Sequence, residues 1–368
     1  MTPVSYVDIS AQWRDEKEDL LPILEETLAA GLYVGGNPVD LFEEAVAGYF
    51  SSGYAVALNS GTDALVCALF ALGVRAGDEV ITPPNSFVAS TAAIVHLGAK
   101  PVFVDVKADQ NIDEGLIESA ISEKTKAIMP VHLTGRMAAM PEICEIAQRH
   151  NLVVIEDAAQ SAGSMLHGRS AGTWGNVGCF SAHPLKNLNA CGDAGFIITN
   201  DEALAKKIRS IRNHGLIDRE TVEEFGVVSR MDTLQAAVLR FRLERLGQVI
   251  SQRRENVNVY RDLLNVDNVF HPDDAQGENN SWHTFVIQVD RRDELKDYLM
   301  QRGIETAIHY PVPIHLQPAA RDLGYAKGDF PVTEQQSKRI LTLPIHQYLT
   351  KEQLKKVASS VNEFFSCS

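Results

Sequence analysis

This sequence of 368 residues lacks the features that mark membrane and secreted proteins. Its longest uncharged apolar segment, residues 64–74, is too short to cross a bilayer, which takes about 20 residues, and it predicts a buried helix. Residues 1–6 lack the basic and apolar regions of a signal peptide. The five cysteines are odd in number and widely spaced, which fits neither a disulfide framework nor a zinc site. We therefore expect a cytoplasmic protein without a bound metal.

Positive charge is also scarce. The formal net charge is −14, and a surface of that sign repels nucleic acid and anionic membranes, so neither is an expected partner. The same surface would repel a phosphorylated ligand at long range. Binding such a ligand would require local donors, meaning helix N-termini and a few well-placed cations.

Between residues 54 and 200, short apolar segments rich in β-branched residues alternate with segments of helical pattern. The alternation predicts an α/β fold of parallel βαβ units, in which helices cover both faces of the sheet. Ligands of such sheets bind beyond the carboxyl ends of the strands. The predicted strands are residues 54–58, 79–82, 101–105, 127–131, 152–156 and 195–199.

Residues 232–264 predict one long amphipathic helix. Its apolar side holds Leu234, Val238, Phe241, Leu243 and Leu246, and its polar side holds Arg240, Arg242 and Arg245. A helix of this length often connects two domains, and the chain is too long for one ordinary core. We therefore predict a large domain, residues 1–245, and a small C-terminal α/β domain, residues 246–368.

A turn suited to an anion follows the first predicted strand. Gly61 permits a tight turn, and the amides and the Thr62 hydroxyl at the start of the buried helix would face a phosphate. The alternative is an ordinary helix cap, in which Thr62 or Asp63 satisfies the first amides.

The strand at 152–156 delivers Glu156, Asp157 and then Gln160 at its carboxyl end. A buried Asp157 needs a cationic partner, because an unpaired charge in an apolar site is costly. A protonated pyridine ring, such as that of pyridoxal-5′-phosphate (PLP), is one such partner. The alternative is a pair of surface acids that cap the next helix.

Lys186 lies in an apolar, glycine-rich segment, residues 179–195. Desolvation lowers the pKa of a lysine, and the neutral amine is the form that attacks an aldehyde. Ser181 could add a hydroxyl contact to a phosphate, and His183 could relay protons. The alternative is a solvated loop cation. Taken together, the three segments supply a phosphate cradle, an acid for a ring nitrogen and an amine for an aldehyde.

These segments resemble the DegT/StrS family of sugar aminotransferases, and the resemblance extends over nearly the whole chain. It implies a PLP-dependent transferase of fold type I, with a mostly parallel sheet between helices in the large domain. It also implies a homodimer with both active sites at the interface. The matching segments are GLYVGG (31–36), NSGTDAL (59–65), PPNSFVAST (83–91), EDAAQSAG (156–163), FSAHPLKNLNACGDAG (180–195), RMDTLQAA (230–237), HYPVPIHLQP (309–318) and LPIH (343–346).

The resemblance also implies residue roles. Lys186 would hold PLP as a Schiff base and shuttle the proton, and Asp157 would pair with the pyridine nitrogen. Phe87 would stack on the ring, and Gln160 would lie near the ring hydroxyl. The implied phosphate-binding positions are Gly61, Thr62, Asp63 and Ser181, and the implied substrate-contacting positions are Tyr33, His309, Tyr310 and His315.

Two positions depart from the family pattern. Val228 stands where an asparagine commonly reaches the neighbouring subunit's cofactor phosphate, and valine cannot donate a hydrogen bond. Ser229 or Arg230 is then expected to replace that contact. Ala182 stands where a bulkier residue is common, which suggests room for a different substrate shape.

The expected reaction moves an amino group from L-glutamate, the family's usual donor, to a keto-sugar. Lys186 favours transamination, because related sugar dehydratases carry histidine at that position. The motifs look more like enzymes that aminate C-3 of a nucleotide-linked 3-keto-sugar, for surface polysaccharide or lipopolysaccharide biosynthesis. The alternatives are a non-nucleotide substrate, such as 8-oxo-3-deoxy-octulosonate, and a non-catalytic regulator on the same fold. A nicotinamide-binding Rossmann protein is excluded, because no G-x-G-x-x-G follows the first strand.

Overall fold

A computed structural model describes residues 3–265 and 267–366 of the chain. None of the helices in this described part is both long and apolar enough to cross a membrane. The helices are α1 (Ile9–Ala29), α2 (Asn37–Phe50), α3 (Gly61–Ala71), α4 (Val88–His96), α5 (Glu114–Ile117), α6 (Met140–Arg149), α7 (Glu202–Ile211), α8 (Thr233–Leu263), α9 (Arg292–Gln301), α10 (Pro331–Arg339) and α11 (Lys351–Ser366).

The strands form three separate sheets. The central sheet has seven strands in the order β1-β9-β8-β5-β4-β2-β3, while β10-β6-β7 and β11-β12 form two small sheets. The strands are β1 (Tyr54–Leu58), β2 (Glu79–Thr82), β3 (Lys100–Phe103), β4 (Thr125–Ile128), β5 (Val153–Asp157), β6 (Met165–Leu166), β7 (Arg169–Ser170), β8 (Val177–Ser181), β9 (Gly195–Thr199), β10 (Glu278–Asn279), β11 (Phe285–Gln288) and β12 (Ile340–Leu343).

The central sheet is mostly parallel, as predicted, with one exception. Strand β9 pairs antiparallel with both of its neighbours, β1 and β8. It differs because β8 is joined to it by the loop 182–194 and not by a helical crossover, so the chain returns in the opposite direction. Because β1, β5 and β8 share one direction, the residues that follow them meet at the same edge of the sheet.

Helix α8 contributes to two apolar cores. Leu239, Leu246 and Ile250 pack in the core beside the central sheet, whereas Val257 and Tyr260 pack in the core around β11, β12, α9 and α11. The two cores agree with a helix that connects a large and a small unit. Val4 also packs in the second core, although it lies far outside residues 246–368. The boundary after residue 245 stays a prediction.

One residue of the predicted polar side of α8 is buried. Arg242 is only 8% exposed, and its Nη2 lies 2.7 Å from Glu16 Oε2 on α1. Gln12 donates to the other Glu16 oxygen at 3.0 Å. Arg242 was predicted on the polar side of the helix, and it is buried there because α1 covers this side and supplies Glu16 as the counter-charge.

Glu16→Ala is expected to lower the free energy of unfolding by about 3 kcal/mol, since it leaves the buried Arg242 charge without its carboxylate. Glu18→Ala, two residues away at a side chain that is 81% exposed, is the matched control and should change stability by less than about 0.5 kcal/mol. Urea unfolding of the two variants measures the difference. Equal stabilities would show that the buried pair does not hold α1 in place.

Candidate active site

A cavity of about 430 Å³ lies beyond the carboxyl ends of β1, β5 and β8. One side is formed by residues that follow these strands. The opposite side comes from Tyr6 and Val7 and from the C-terminal part of the chain. The predicted site residues on its wall are Gly61, Thr62, Phe87, Asp157, Gln160, Ser181, Lys186, His309 and Tyr310.

Asp157 presents a buried carboxylate to this cavity. It is 4% exposed, and it accepts hydrogen bonds from Ser90 Oγ at 2.6 Å and from the Ala159 amide at 3.2 Å. Burial raises the pKa of Asp157, although both hydrogen bonds and the nearby Lys186 act in the opposite direction. A protonated nitrogen brought next to Asp157 would favour the ionised form, because an opposite charge stabilises a buried carboxylate.

The neighbouring Glu156 has a different role. Its carboxylate is fully buried and accepts from the amides of Gly172, Trp174 and Gly175, each at 2.7 Å. His132 lies 2.9 Å away through Nε2. Because His132 Nδ1 accepts from the Ala138 amide at 3.2 Å, Nε2 carries the proton and donates it to Glu156. Glu156 therefore fixes the loop before β8, and only Asp157 is directed to the cavity.

The turn before α3 lies against the end of β8. Ser60 caps the helix by accepting from the Asp63 amide at 3.1 Å, so the amides of Gly61 and Thr62 precede the first intrahelical bonds. A Cβ at Gly61 would lie 2.5 Å from Ser181 Cβ, and one at Gly195 would lie 2.3 Å from the Ser60 carbonyl oxygen. This close approach places the Ser181 hydroxyl beside the helix N-terminus, where an anion binds well.

Lys186 lies in a tight turn after β8. Its amide donates to the His183 carbonyl at 2.8 Å, and the neighbouring Asn187 anchors the turn by donating to the Ser281 carbonyl at 2.8 Å. Burial lowers the pKa of the Lys186 amine to about 8, while the Asp157 carboxylate opposes that shift. A substantial fraction of the amine is therefore neutral near physiological pH, and only the neutral amine is nucleophilic.

Gln160, Tyr310 and Phe87 form the wall around these charged groups. Gln160 accepts from the Thr134 amide at 2.8 Å and donates to the Tyr310 hydroxyl at 3.4 Å. The rings of Phe87 and Tyr310 lie 5.8 Å apart, centre to centre. Phe87 is 54% exposed, so a flat ligand can reach its face.

Three predicted residues are not on the cavity wall. His315 is 3% exposed and contacts Glu334 Oε1 at 3.1 Å, which makes it part of the packing below α10. Tyr33 is exposed and lies beside the start of α8, where its carbonyl accepts from the Thr233 amide at 3.0 Å. Asp63 lies in the first turn of α3 behind Gly61 and Thr62. Within this chain, none of the three reaches the cavity.

The two departures from the family pattern have different surroundings. Ala182 is fully buried in the core beside the central sheet, so it leaves no extra room for a substrate. Val228 is 52% exposed. Ser229 is fully buried and its hydroxyl donates to Asn59 Oδ1 at 3.1 Å, which removes it from contact with a second subunit. Arg230 is exposed and is the residue that can still make such a contact.

The cavity residues fit PLP at three separate points. The α3 turn with Ser181 suits its phosphate, Asp157 suits its ring nitrogen, and Lys186 suits its aldehyde. The deciding observation is that the model of the DegT/DnrJ/EryC1/StrS aminotransferase family matches residues 14–362 of the chain. The chain belongs to this family.

DegT/DnrJ/EryC1/StrS relatives cover almost the full length of the chain. The pleiotropic regulatory protein of Geobacillus stearothermophilus is 40% identical over 98% of both chains. The UDP-N-acetyl-3-dehydro-alpha-D-glucosamine 3-aminotransferase of Acidithiobacillus ferrooxidans is 38% identical over 98% of this chain and 97% of its own. The structure of S. venezuelae DesV in complex with a ketimine intermediate has a TM-score of 0.97 at 38% identity, over 99% of both chains.

Membership of the DegT/DnrJ/EryC1/StrS family confirms the predicted fold class and the resemblance stated from the motifs. It also confirms that the protein is a PLP-dependent aminotransferase. The roles of individual residues are a separate matter. They rest on the geometry of the cavity.

Several residues of the cavity wall were not found from the sequence. They are Tyr6, Asp193, Arg253, His283 and His346. Tyr6, Arg253 and His283 lie outside every matching segment, whereas Asp193 and His346 lie inside the segments 180–195 and 343–346 but were given no role. Ser90, the partner of Asp157, was also missed, because a serine inside a helix has many ordinary explanations.

The reaction of the cofactor-free protein with added PLP should depend on pH through Lys186. Since the amine is neutral only above its pKa of about 8, the rate should rise about tenfold per pH unit below that value and level off above it. Borohydride fixation of the yellow product at each pH gives the profile. Lys206→Ala, at an exposed lysine, should leave the profile unchanged, whereas Lys186→Ala should form no fixed product. A pH-independent rate would contradict the assignment.

Proposed function

We propose that this protein transfers the amino group of L-glutamate to C-3 of a nucleotide-linked 3-keto-sugar, for the biosynthesis of surface polysaccharide or another glycoconjugate. The observation that carries the proposal is the placement of Lys186 and Asp157 on one cavity wall, with Gly61, Thr62 and Ser181 beside them. The name of the A. ferrooxidans relative, an aminotransferase for a UDP-linked 3-keto-sugar, supports the choice of carbon and of a nucleotide-linked substrate.

Each of these residues has a separate role in the proposed transamination. When bound, PLP supplies an electron sink for the carbon that loses its proton. Asp157 would keep the ring nitrogen protonated, because its buried carboxylate forms no ion pair with any described residue and is free to pair with that nitrogen. The amine of Lys186 would take the proton from Cα of the amino donor and deliver it to C4′ of the cofactor. Phe87 and Tyr310 would hold the flat ring of the cofactor.

A second copy of the chain is part of the proposal. Residues 217–228 expose several apolar side chains, and Phe225 is 94% exposed. An apolar segment of this kind is typical of a surface that another subunit covers. The homodimer would place Arg230 near the partner's cavity, in the position that the family usually gives to the asparagine replaced here by Val228.

A reducing compartment such as the cytoplasm is also proposed. Among the described residues, Cys67, Cys144, Cys179 and Cys191 are all free of disulfide bonds. Proteins of the cytoplasm keep their thiols reduced, so the free cysteines agree with that location.

Two alternatives differ from the proposal in specific ways. A non-nucleotide acidic sugar such as 8-oxo-3-deoxy-octulosonate would use the same amino-transfer residues and would change only the acceptor. A purely regulatory role, suggested by the name of the G. stearothermophilus relative, would not require an amine, a ring-nitrogen partner and a phosphate turn in one cavity. We therefore favour the enzyme.

Lys186→Ala is expected to abolish turnover, with a loss of at least about 1000-fold, because the proton then has no carrier. Steady-state assays with L-glutamate and a panel of UDP- and dTDP-linked 3-keto- and 4-keto-sugars would measure this and identify the acceptor. The matched control is Lys206→Ala, which should keep the wild-type rate. Purified wild-type protein that stays colourless with added PLP, or that aminates only 4-keto-sugars, would contradict the proposal.

Asp157→Asn is expected to lower kcat roughly 100-fold, since the asparagine amide cannot stabilise a protonated ring nitrogen. The visible spectrum of the PLP-loaded variant should change with it, because the protonation of the ring alters its absorbance. Ser90→Ala removes only the hydrogen bond at 2.6 Å to Asp157 and should have a smaller effect of the same sign. A near-normal rate in Asp157→Asn would show that another residue holds the ring nitrogen.

A further inference from the structure

Four arginines of the described chain are buried, and three of them have a carboxylate partner. Arg136 lies 2.9 Å from Glu278, Arg242 lies 2.7 Å from Glu16, and Arg292 lies 2.6 Å from Asp293. Arg253 is the exception. It is 6% exposed and forms no ion pair with any carboxylate of the described residues.

The hydrogen bonds of Arg253 reach only neutral acceptors. Its Nη1 donates to the carbonyls of Trp282 at 3.2 Å and His283 at 3.1 Å, and its Nη2 donates to Gln347 Oε1 at 3.4 Å. Its buried Nε has no acceptor among the described residues. Carbonyl groups can orient a guanidinium, but they do not neutralise it. A buried charge without a counter-charge costs several kcal/mol by general estimates.

Arg253 is on the wall of the same cavity as Lys186. His283 is on this wall too, and its carbonyl accepts from Arg253 at 3.1 Å. Burial, followed by the charges of Lys186 and Arg253, holds the pKa of His283 well below its usual value. Nearby, burial lowers the pKa of His309 and of His346 to about 4. These histidines are neutral at physiological pH. Among the described wall residues, Arg253 is the only arginine, so it is the permanent cation of the cavity.

We infer that Arg253 binds a carboxylate of a substrate, and that this carboxylate supplies the missing counter-charge while the reacting group is held at Lys186. A guanidinium is suited to this task, because its planar donors match the two oxygens of a carboxylate. The inference rests on the proposed function, since it assumes that an amino acid and a keto-sugar enter this cavity in turn. The carboxylate could belong to the amino donor or to an acidic sugar, and the experiment separates these two sources.

The first measurement mixes the PLP-loaded protein rapidly with L-glutamate and follows the loss of yellow colour at increasing glutamate concentrations. For Arg253→Gln, the half-saturating concentration should rise at least about tenfold, because the carboxylate loses its buried charged partner. The half-saturating concentration for Arg253→Lys should lie between those of Arg253→Gln and the wild type, since lysine keeps the charge and loses the planar donors.

The matched control is Arg254→Gln. Arg254 is the next residue of the same helix, contacts Asn279 and Asn280, and is not on the cavity wall. It should keep the wild-type concentration dependence. Retained cofactor absorbance and an unchanged melting temperature in Arg253→Lys would separate a binding defect from a folding defect.

The second measurement changes the ligand and leaves the protein intact. L-Glutamine lacks the side-chain carboxylate of glutamate, and L-isoglutamine lacks the α-carboxylate. The ligand that lacks the recognised carboxylate should bind at least about tenfold more weakly to wild type, and the same change should matter little to Arg253→Gln. If neither amide shows this coupling, the pyridoxamine form is tested with UDP-linked 3-keto-sugars that have or lack a C-6 carboxylate. Coupling in that experiment would show that Arg253 binds the carboxylate of the sugar.

Absence of coupling in both the donor and the sugar arms would overturn the inference. The proposed function would survive that result, provided that wild type still loses its colour with glutamate. If wild type reacts with no donor at all, the proposed function fails, and glutarate then tests Arg253 separately because it carries carboxylates without an amino group. Thermal stabilisation by glutarate that is lost in Arg253→Gln supports the inference, and equal stabilisation of both proteins rejects it.

Discussion

The burial of two consecutive carboxylates at the end of β5 organises the centre of this protein. Adjacent residues of a strand point to opposite faces, so Glu156 and Asp157 meet different surroundings. Glu156 is satisfied within the protein by three amides and His132. Asp157 accepts from one hydroxyl and one amide, and it forms no ion pair with any described residue. The network around Glu156 therefore holds the strand end in place, and a cofactor nitrogen completes the surroundings of Asp157.

The sequence correctly predicted those features of the cavity whose residues lie within one short segment. The α3 turn, the end of β5 and the Lys186 turn each combine an element boundary with a chemical group, and parallel strands bring those boundaries together. It failed where the evidence lies far apart in the chain. Arg253 is one arginine on a long helix, and only the fold shows that Trp282 and His283 contact it and that Tyr6 shares its cavity wall. The antiparallel direction of β9 was also missed, because it depends on residues 182–194, which join β8 to β9 without a helix.

The protein is acidic overall, yet its cavity wall carries basic groups beside the carboxylates of Asp157 and Asp193. The chain as a whole carries a net charge of −14, which disfavours anionic ligands at a distance. The cavity wall contains Arg253, the amine of Lys186 and the free amides at the start of α3. Short-range contacts of this kind are strong because little water screens them. Anionic substrates are therefore expected to be selected at close contact, while long-range attraction contributes little to their capture.

Gly61 and Gly195 have a consequence for reading the family as a whole. Any side chain at either position would collide with Ser181 or with the Ser60 backbone, so packing alone excludes other residues there. A related protein that had lost its catalytic activity would still need both glycines in order to fold. Their presence in a related sequence is thus a record of ancestry. Packing does not require Lys186 or Asp157. A family member without catalytic activity is therefore expected to differ first at these two positions.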